Sequence, residues 1–168
     1  EKPRGTYHVS RTDRNAYVQA FNRILTGYRE VDAILYLWPI EDTRCIRDYS
    51  CIVYILQALA RSGLSVGRLL LAAQLGNELD RCYLESWIGF ERSLKLLLPD
   101  TPVTAFYWDT GESGGTVEIR DWAHRLWTEL RSTNNQSVLF QNGKRFVHRV
   151  QPTKPASKGT RLKPGATY

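Results

Sequence analysis

Chemistry needs nucleophiles, acids, bases or metal ligands at fixed spacing, and this chain offers few. Its three histidines, His8, His124 and His148, are far apart and fall on three different elements. None belongs to a His-Glu-x-x-His pair, and no cysteine and histidine stand at zinc spacing. Cys45, Cys51 and Cys82 make an odd count without a Cys-x-x-Cys. Reduced, partly buried thiols of a cytoplasmic protein are the expectation. A Gly-x-Ser-x-Gly turn is absent, and Ser86 and Ser93 fall inside a helix. Asp42 and Asp109 lie near the carboxyl ends of expected strands, where α/β enzymes place catalytic groups. They serve equally well as helix caps or loop carboxylates, and neither has a His or Lys in its own turn. No catalytic, cofactor-binding or metal-binding residue is therefore expected in this chain.

The elements that position these residues follow from punctuation and periodicity. Thr6 to Ser10 reads as a short extended run. Thr12 or Asp13 can cap a helix with an apolar face of Ala16, Tyr17, Ala20, Phe21, Ile24 and Leu25, ended by Gly27. Val31 to Trp38 is nearly all apolar and closed by Pro39, a strand buried on both faces. A helix from Asp48 to Ser62, with Gly63 as its cap, carries apolar residues so far round that more than one side must be covered. Arg68 to Gln74 is a further apolar strand. A helix from about Asp80 to Leu98 turns Tyr83, Leu84, Trp87, Ile88, Leu94 and Leu98 inward, and Pro99 and Pro102 stop it. Val103 to Trp108 is the fourth strand. A Gly/Ser loop, Thr110 to Gly115, leads to a helix from Glu118 to Arg131 with Ile119, Trp122, Ala123, Leu126, Trp127 and Leu130 apolar. Two extended runs, Ser137 to Gln141 and Lys144 to Val150, flank Asn142-Gly143, a strong signal for a type I′ hairpin.

Repeated strand–helix alternation predicts a mostly parallel α/β sheet with helices on both faces, a doubly wound, Rossmann-like architecture ending in a β-hairpin. Such a fold binds nucleotides through glycines at its first strand-to-helix turn. Here that turn reads His8-Val9-Ser10-Arg11-Thr12-Asp13. The next reads Trp38-Pro39-Ile40-Glu41-Asp42-Thr43, with two carboxylates and no glycine. Gly111-Glu112-Ser113-Gly114-Gly115 has the wrong spacing and includes a carboxylate, so a surface loop is the reading. The frame resembles a nucleotide-binding fold without the parts that bind.

Composition narrows the partners. Of 168 residues, 42% are apolar, too many for a disordered chain. The longest apolar runs, Cys51 to Leu56 and Ala33 to Ile40, fall far short of a membrane span of ~18–20 residues. The net charge of +6 suggests a polyanion until it is located. Residues 141 to 168 hold seven basic side chains and no acidic one, while the other 140 carry 16 basic and 17 acidic. The body is neutral and the tail basic. The tryptophans fall on inward helical stripes or at the ends of buried strands, so core packing rather than base stacking is expected. Neither nucleic acid nor membrane is an expected partner. Residues 1–150 form one domain and 151–168 a basic linker. The chain has no methionine, and a piece of a longer polypeptide is the expectation.

Several segments resemble the ketoreductase region of modular polyketide synthases, specifically its N-terminal structural subdomain. Val31-Asp32-Ala33-Ile34-Leu35-Tyr36-Leu37-Trp38 is similar to that subdomain's central strand, which ends in His-Leu-Trp or a variant, and Leu56-Gln57-Ala58-Leu59 resembles the helix after it. Gly89-Phe90-Glu91-Arg92-Ser93-Leu94-Lys95-Leu96, closing at Pro99, resembles the Gly-Phe-x-Arg-Ser/Thr run of synthases whose acyltransferase acts in trans. Leu139-Phe140-Gln141-Asn142-Gly143-Lys144-Arg145-Phe146-Val147 resembles the hairpin after the last helix. Leu162-Lys163-Pro164-Gly165-Ala166-Thr167-Tyr168 looks like the lead-in to the catalytic subdomain. The order and spacing of these segments, from about Val31 to Tyr168, carry the resemblance. Leu97 stands where the family usually has Glu, and Tyr36 where it has His. These departures bear on whether the parent ketoreductase is active or degenerate.

The resemblance implies a truncated Rossmann unit that stabilises an adjoining catalytic subdomain. NADPH and the catalytic Ser, Tyr and Lys or Asn belong to that other part, so no residue role carries over to this chain. The implied partners are the catalytic subdomain and neighbouring synthase domains, including the acyl carrier protein. Contact with the catalytic half is expected at helix faces left over from the core, around Val53 and Tyr54. A docking or dimerisation module in a pseudo-ketoreductase is the alternative. An anion-binding protein using the basic tail is a third reading.

Overall fold

The computed structural model describes residues 5–111, 117–149 and 151–152. Helix α1 (Arg14–Gly27) starts at Asp13, whose carboxylate accepts the Asn15 amide at 2.9 Å. This is the cap that satisfies an orphan donor of the first turn. After β1 (Glu30–Val31) and β2 (Ile34–Tyr36) come a short helix α2 (Trp38–Glu41) and a 3-10 turn (Thr43–Ile46). Helix α3 (Ser50–Ser62) ends at Gly63, which takes the left-handed conformation with φ 69°. There follow β3 (Ser65–Val66), β4 (Leu69–Leu75), α4 (Glu78–Leu97), β5 (Val103–Asp109) and α5 (Ile119–Arg131). Strands β6 (Val138–Gln141) and β7 (Lys144–Val147) close the chain's described fold. Asn142 and Gly143 both have positive φ, as the type I′ hairpin requires.

The main sheet has the order β2-β4-β5-β6-β7, parallel except for the final β6–β7 hairpin. Its two faces follow the period of two. Leu69, Leu71, Ala73, Ala105, Tyr107 and Leu139 face a large core shared with α1, α3 and α4. Leu70, Ala72, Phe106 and Val138 face a smaller core under α5, built with Trp122 and Leu126. Strands β4 and β5 are buried on both sides, as their apolar runs predict. The α/β class, the layers on both faces and the terminal hairpin agree with the sequence.

One topological feature departs from a doubly wound sheet. Each crossover from β2 to β4, β5 and β6 steps the same way across the sheet. Units of one hand stepping one way keep their helices on one face. Yet α3 and α4 lie on the first face and α5 on the second. The β5–α5–β6 unit therefore has the opposite hand to the two before it, and the strand order never reverses.

Other expectations need correction. Thr6 to Ser10 pairs with no strand among the described residues. Only Val9 of that run packs on the core, while Thr6, His8 and Ser10 are exposed, so nothing anchors it to the sheet edge. The Val31 to Trp38 run is not one strand buried on both faces. It breaks after Val31, and β2 is the sheet edge, with Leu35 38% exposed. The register holds across the gap, since Val31 faces Val66 and Ile34 faces Leu69. Gly67 sits at the break because a Cβ there would lie 2.6 Å from the Asp32 carbonyl. Pro39 opens α2 instead of ending a strand, a place where its missing N–H costs nothing.

Candidate functional site

Parallel α/β sheets bind ligands beyond the carboxyl ends of their strands, at the point where strand order reverses. In this chain that rim holds a cleft of about 260 Å³ lined by Leu75, Gly76, Asn77, Glu78, Arg81 and Asp109, among others. Its central feature is the N-terminus of α4, which would face a phosphate in a nucleotide-binding relative of the fold. Here the helix supplies its own anions. Asn77 caps it by accepting the Asp80 amide at 2.9 Å, and the Asn77 amide donates to the Asp80 carboxylate at 2.7 Å. Asp80 is buried and paired with Arg47 at 3.1 Å, and Glu78 stands in the same first turn. Arg81, the cation of the cleft, is held by Glu85 at 2.9 Å. A pyrophosphate brought to this rim meets carboxylates at the helix end and a strand order without a switch point. The residues present do not fit a dinucleotide.

Asp109 is a loop carboxylate. It accepts the Gly111 amide at 2.8 Å and the Gln141 side-chain amide at 2.6 Å, which ties the ends of β5 and β6 together. Asp42 caps the 3-10 turn through the Arg44 amide and accepts from Arg44 and Arg11 side chains at 2.8 to 3.0 Å. Those two guanidinium groups hold the Asp42 carboxyl well below the usual carboxylate range. The two aspartates thus serve separate turns, and no hydrogen bond or ion pair joins them among the described residues.

The other singled-out residues also have structural duties. The Ser93 hydroxyl donates back to the Gly89 carbonyl at 3.1 Å, and Ser86 to that of Tyr83. His8 and His124 are exposed. His148 is half-buried with its ring edge-on to Tyr107, and burial lowers its pKa. No group of three metal-ligating side chains exists among the described residues. All three cysteines are free thiols; Cys45 and Cys51 are buried and Cys82 is exposed. The Arg11 guanidinium lies 2.8 Å from the Cys45 sulfur, but burial outweighs it and raises the thiol pKa. The loop from 112 to 116 lies outside the described residues.

Three groups of apolar assignments turn out differently. Tyr83, Ile119 and Trp127 point outward, with Trp127 60% exposed. Ala123 is exposed too. The α5 apolar stripe is wider than the strip of sheet it covers, so its outer edge lies outside the core among the described residues. Tyr54 is not left over from the core: its ring packs on Tyr17 of α1 at 5.6 Å. Helix α3 is therefore covered on two sides, as its wide apolar face predicts. Trp108, Trp122, Phe106 and Phe140 form one aromatic cluster, with the Arg125 guanidinium 4.5 Å from both the Trp108 and Phe140 rings.

Glu91 is among the buried polar groups that the sequence left unmarked. Glu91 is 3% exposed, accepts the Ser137 hydroxyl and pairs with Lys95. Ser137 in turn accepts the Ala105 amide at 3.0 Å, which joins α4 to the sheet. The signal lay in the helical period, since Leu84, Trp87, Glu91 and Leu94 form one inward stripe with a carboxylate in it. Beside this group opens a second cleft of about 560 Å³, between α4 and the end of β7.

No helix among the described residues is long and apolar enough to cross a membrane. No family model and no solved structure matches the chain. The chain is 45% identical over 163 residues, 97% of its length, to polyketide synthase PksM of Bacillus subtilis (strain 168). It spans 4% of that protein's length. Nearly the whole chain is thus similar to one small stretch of a polyketide synthase, which supports reading it as a domain derived from such a synthase.

Proposed function

We propose that this chain is the non-catalytic structural subdomain of a polyketide synthase ketoreductase, of the type whose acyltransferase acts in trans. It stabilises a catalytic half that reduces a β-keto thioester with NADPH. Residues 1–150 form the Rossmann-like body and 151–168 the connector. The reading places the protein in the cytoplasm, beside the catalytic subdomain, the acyl carrier protein and other synthase domains. The observation that carries it is the carboxyl rim. A Rossmann-like sheet similar to a polyketide synthase segment has its α4 N-terminus faced by its own carboxylates and its strands in an order without reversal. Such a unit keeps the packing value of the fold and gives up the ligand site.

Calorimetric titration tests the proposal. The 168-residue chain is expected to bind no NADPH and to reduce no β-keto thioester, while the intact ketoreductase region does both. Micromolar NADPH binding by the chain alone overturns it. A second reading, a docking or dimerisation module of a pseudo-ketoreductase, draws on the exposed α5 stripe of Ile119, Ala123 and Trp127. Sedimentation decides between them: a stable dimer of the chain, with an intact region lacking reductase activity, selects the second reading.

A further inference from the structure

Hydrogen bonding in the 560 Å³ cleft between α4 and the end of β7 is unbalanced in one direction. Around Glu91 the acceptors are taken. The buried Glu91 carboxylate accepts the Ser137 hydroxyl on one oxygen and pairs with Lys95 through the other. The Ser137 oxygen is itself filled by the Ala105 amide. The side-chain oxygen of Asn135 accepts from Arg68, and that of Gln136 accepts from Asn134 at 3.3 Å. Both amides are thus left with their NH2 groups, which have no acceptor among the described residues.

The charge is unbalanced in the same direction. Arg92 of α4 and Arg149 after β7 line the cleft, and neither makes an ion pair among the described residues. With Lys95 they set three cations against the one carboxylate of Glu91, a surplus of two positive charges. An occupant that balances the cleft brings acceptor oxygens and about two negative charges. A carboxylate has two oxygens in one plane and a single charge. A phosphate group has three, aimed in different directions, and carries about −1.5 to −2 at neutral pH. The donors here come from three directions too: α4, the segment before β6 and the chain after β7. Guanidinium forks match phosphate oxygens in pairs. The volume falls in the range of small-molecule sites, about 300–1,000 Å³, and leaves room for an organic group on the phosphate.

We propose that this cleft binds a phosphate dianion, free or as the monoester of a small molecule. Arg92 and Arg149 grip its oxygens, with Lys95 and the amides of Asn135 and Gln136 around them. The site is separate from the carboxyl rim and does not depend on the chain's role in a ketoreductase.

An NMR titration of the 168-residue chain tests it, at mildly alkaline pH and constant ionic strength. Inorganic phosphate is expected to move the amides of Arg92, Asn135, Gln136 and Arg149 along one saturable curve, with a Kd of about 1 mM. Acetate should bind at least about tenfold more weakly, since it brings one charge and two oxygens. The double substitution R92Q with R149Q should weaken phosphate at least about tenfold, while R81Q at the carboxyl rim leaves it unchanged. If the double variant unfolds, the R92Q and R149Q single variants decide in its place, each weakening phosphate severalfold. Tighter binding of ribose 5-phosphate than of phosphate assigns the ester as the source, and equal affinity assigns the free ion. Shifts that never saturate overturn the proposal, as do shifts centred on residues 77–81 at the α4 N-terminus. Equal affinity for acetate, or an unchanged affinity in the Arg92 and Arg149 variants, overturns it as well. Its failure leaves the scaffold reading standing, because that reading turns on NADPH binding and on reduction.

Discussion

Trp87 and Trp127 sit on the same kind of helical stripe and end in opposite surroundings. Trp87, in α4, is fully buried, and its indole N–H donates to the Ile46 carbonyl at 3.2 Å. Trp127, in α5, is 60% exposed. The difference lies in what each helix covers. Helix α4 lies between the sheet and the 3-10 turn, so apolar contacts hold it. Helix α5 covers a narrower strip through Trp122 and Leu126, and polar clamps do much of its anchoring. Arg68 donates to the carbonyls of Glu129, Leu130 and Ser132, at the helix C-terminus where a cation is favoured. Arg145 meets the buried Glu129 carboxylate with two hydrogen bonds at 2.7 and 2.9 Å. One face is held by its volume, the other by directed bonds.

The largest expected effect breaks the first side of this comparison. Trp87→Ala should cost ~3–5 kcal/mol in urea unfolding, the range for emptying a packed aromatic site. Trp127→Ala should stay within ~0.5 kcal/mol in the same chain. Equal costs would mean the two faces are alike. Gly67→Ala comes next, at about 1–3 kcal/mol, because its Cβ meets the Asp32 backbone rather than a yielding side chain. Gly89→Ala is its converse: nothing lies within 4 Å of that Cβ, and a mid-helix glycine replaced by alanine should gain ~0.5–1 kcal/mol.

Arg68→Leu sharpens the second side. It removes a charged donor from three carbonyls and should cost ~1.5–3 kcal/mol, with α5 amides losing exchange protection before those of α4. Loss of protection spread evenly over both helices would contradict the polar-clamp account. The smallest effect is the pH dependence at His148. Burial holds its folded pKa below the ordinary 6.5, so the unfolded chain takes up the proton first as pH falls. Its contribution is present above that value and is lost as pH falls below it toward the folded pKa. Stability should therefore drop between pH 7 and 5, and His148→Phe should flatten that drop, read from unfolding midpoints across the range.

The local chemistry of the chain was legible where neighbours in sequence decide it. Asp13 caps, Gly63 stops, and Asn142-Gly143 turns the hairpin, because each depends on one residue's own φ or hydrogen bond. The apolar strands β4 and β5 were legible from their runs. The inward place of Glu91 was written in the helical period, but a carboxylate there gains meaning only beside Ser137, 46 residues away. Trp127 and Ile119 misled because periodicity reports which face is apolar and not how wide a surface lies opposite. Thr6 to Ser10 misled because extension alone supplies no pairing partner.

By itself the sequence determined the α/β class, the capped helices, the hairpin and the lack of a glycine-rich phosphate turn, since all of these are local. It also carried the likeness to a polyketide synthase segment. Only the tertiary structure decided the direction of the strand order and the face taken by α5, because both depend on which strands meet across many residues. From that choice follows a carboxyl rim without a switch point.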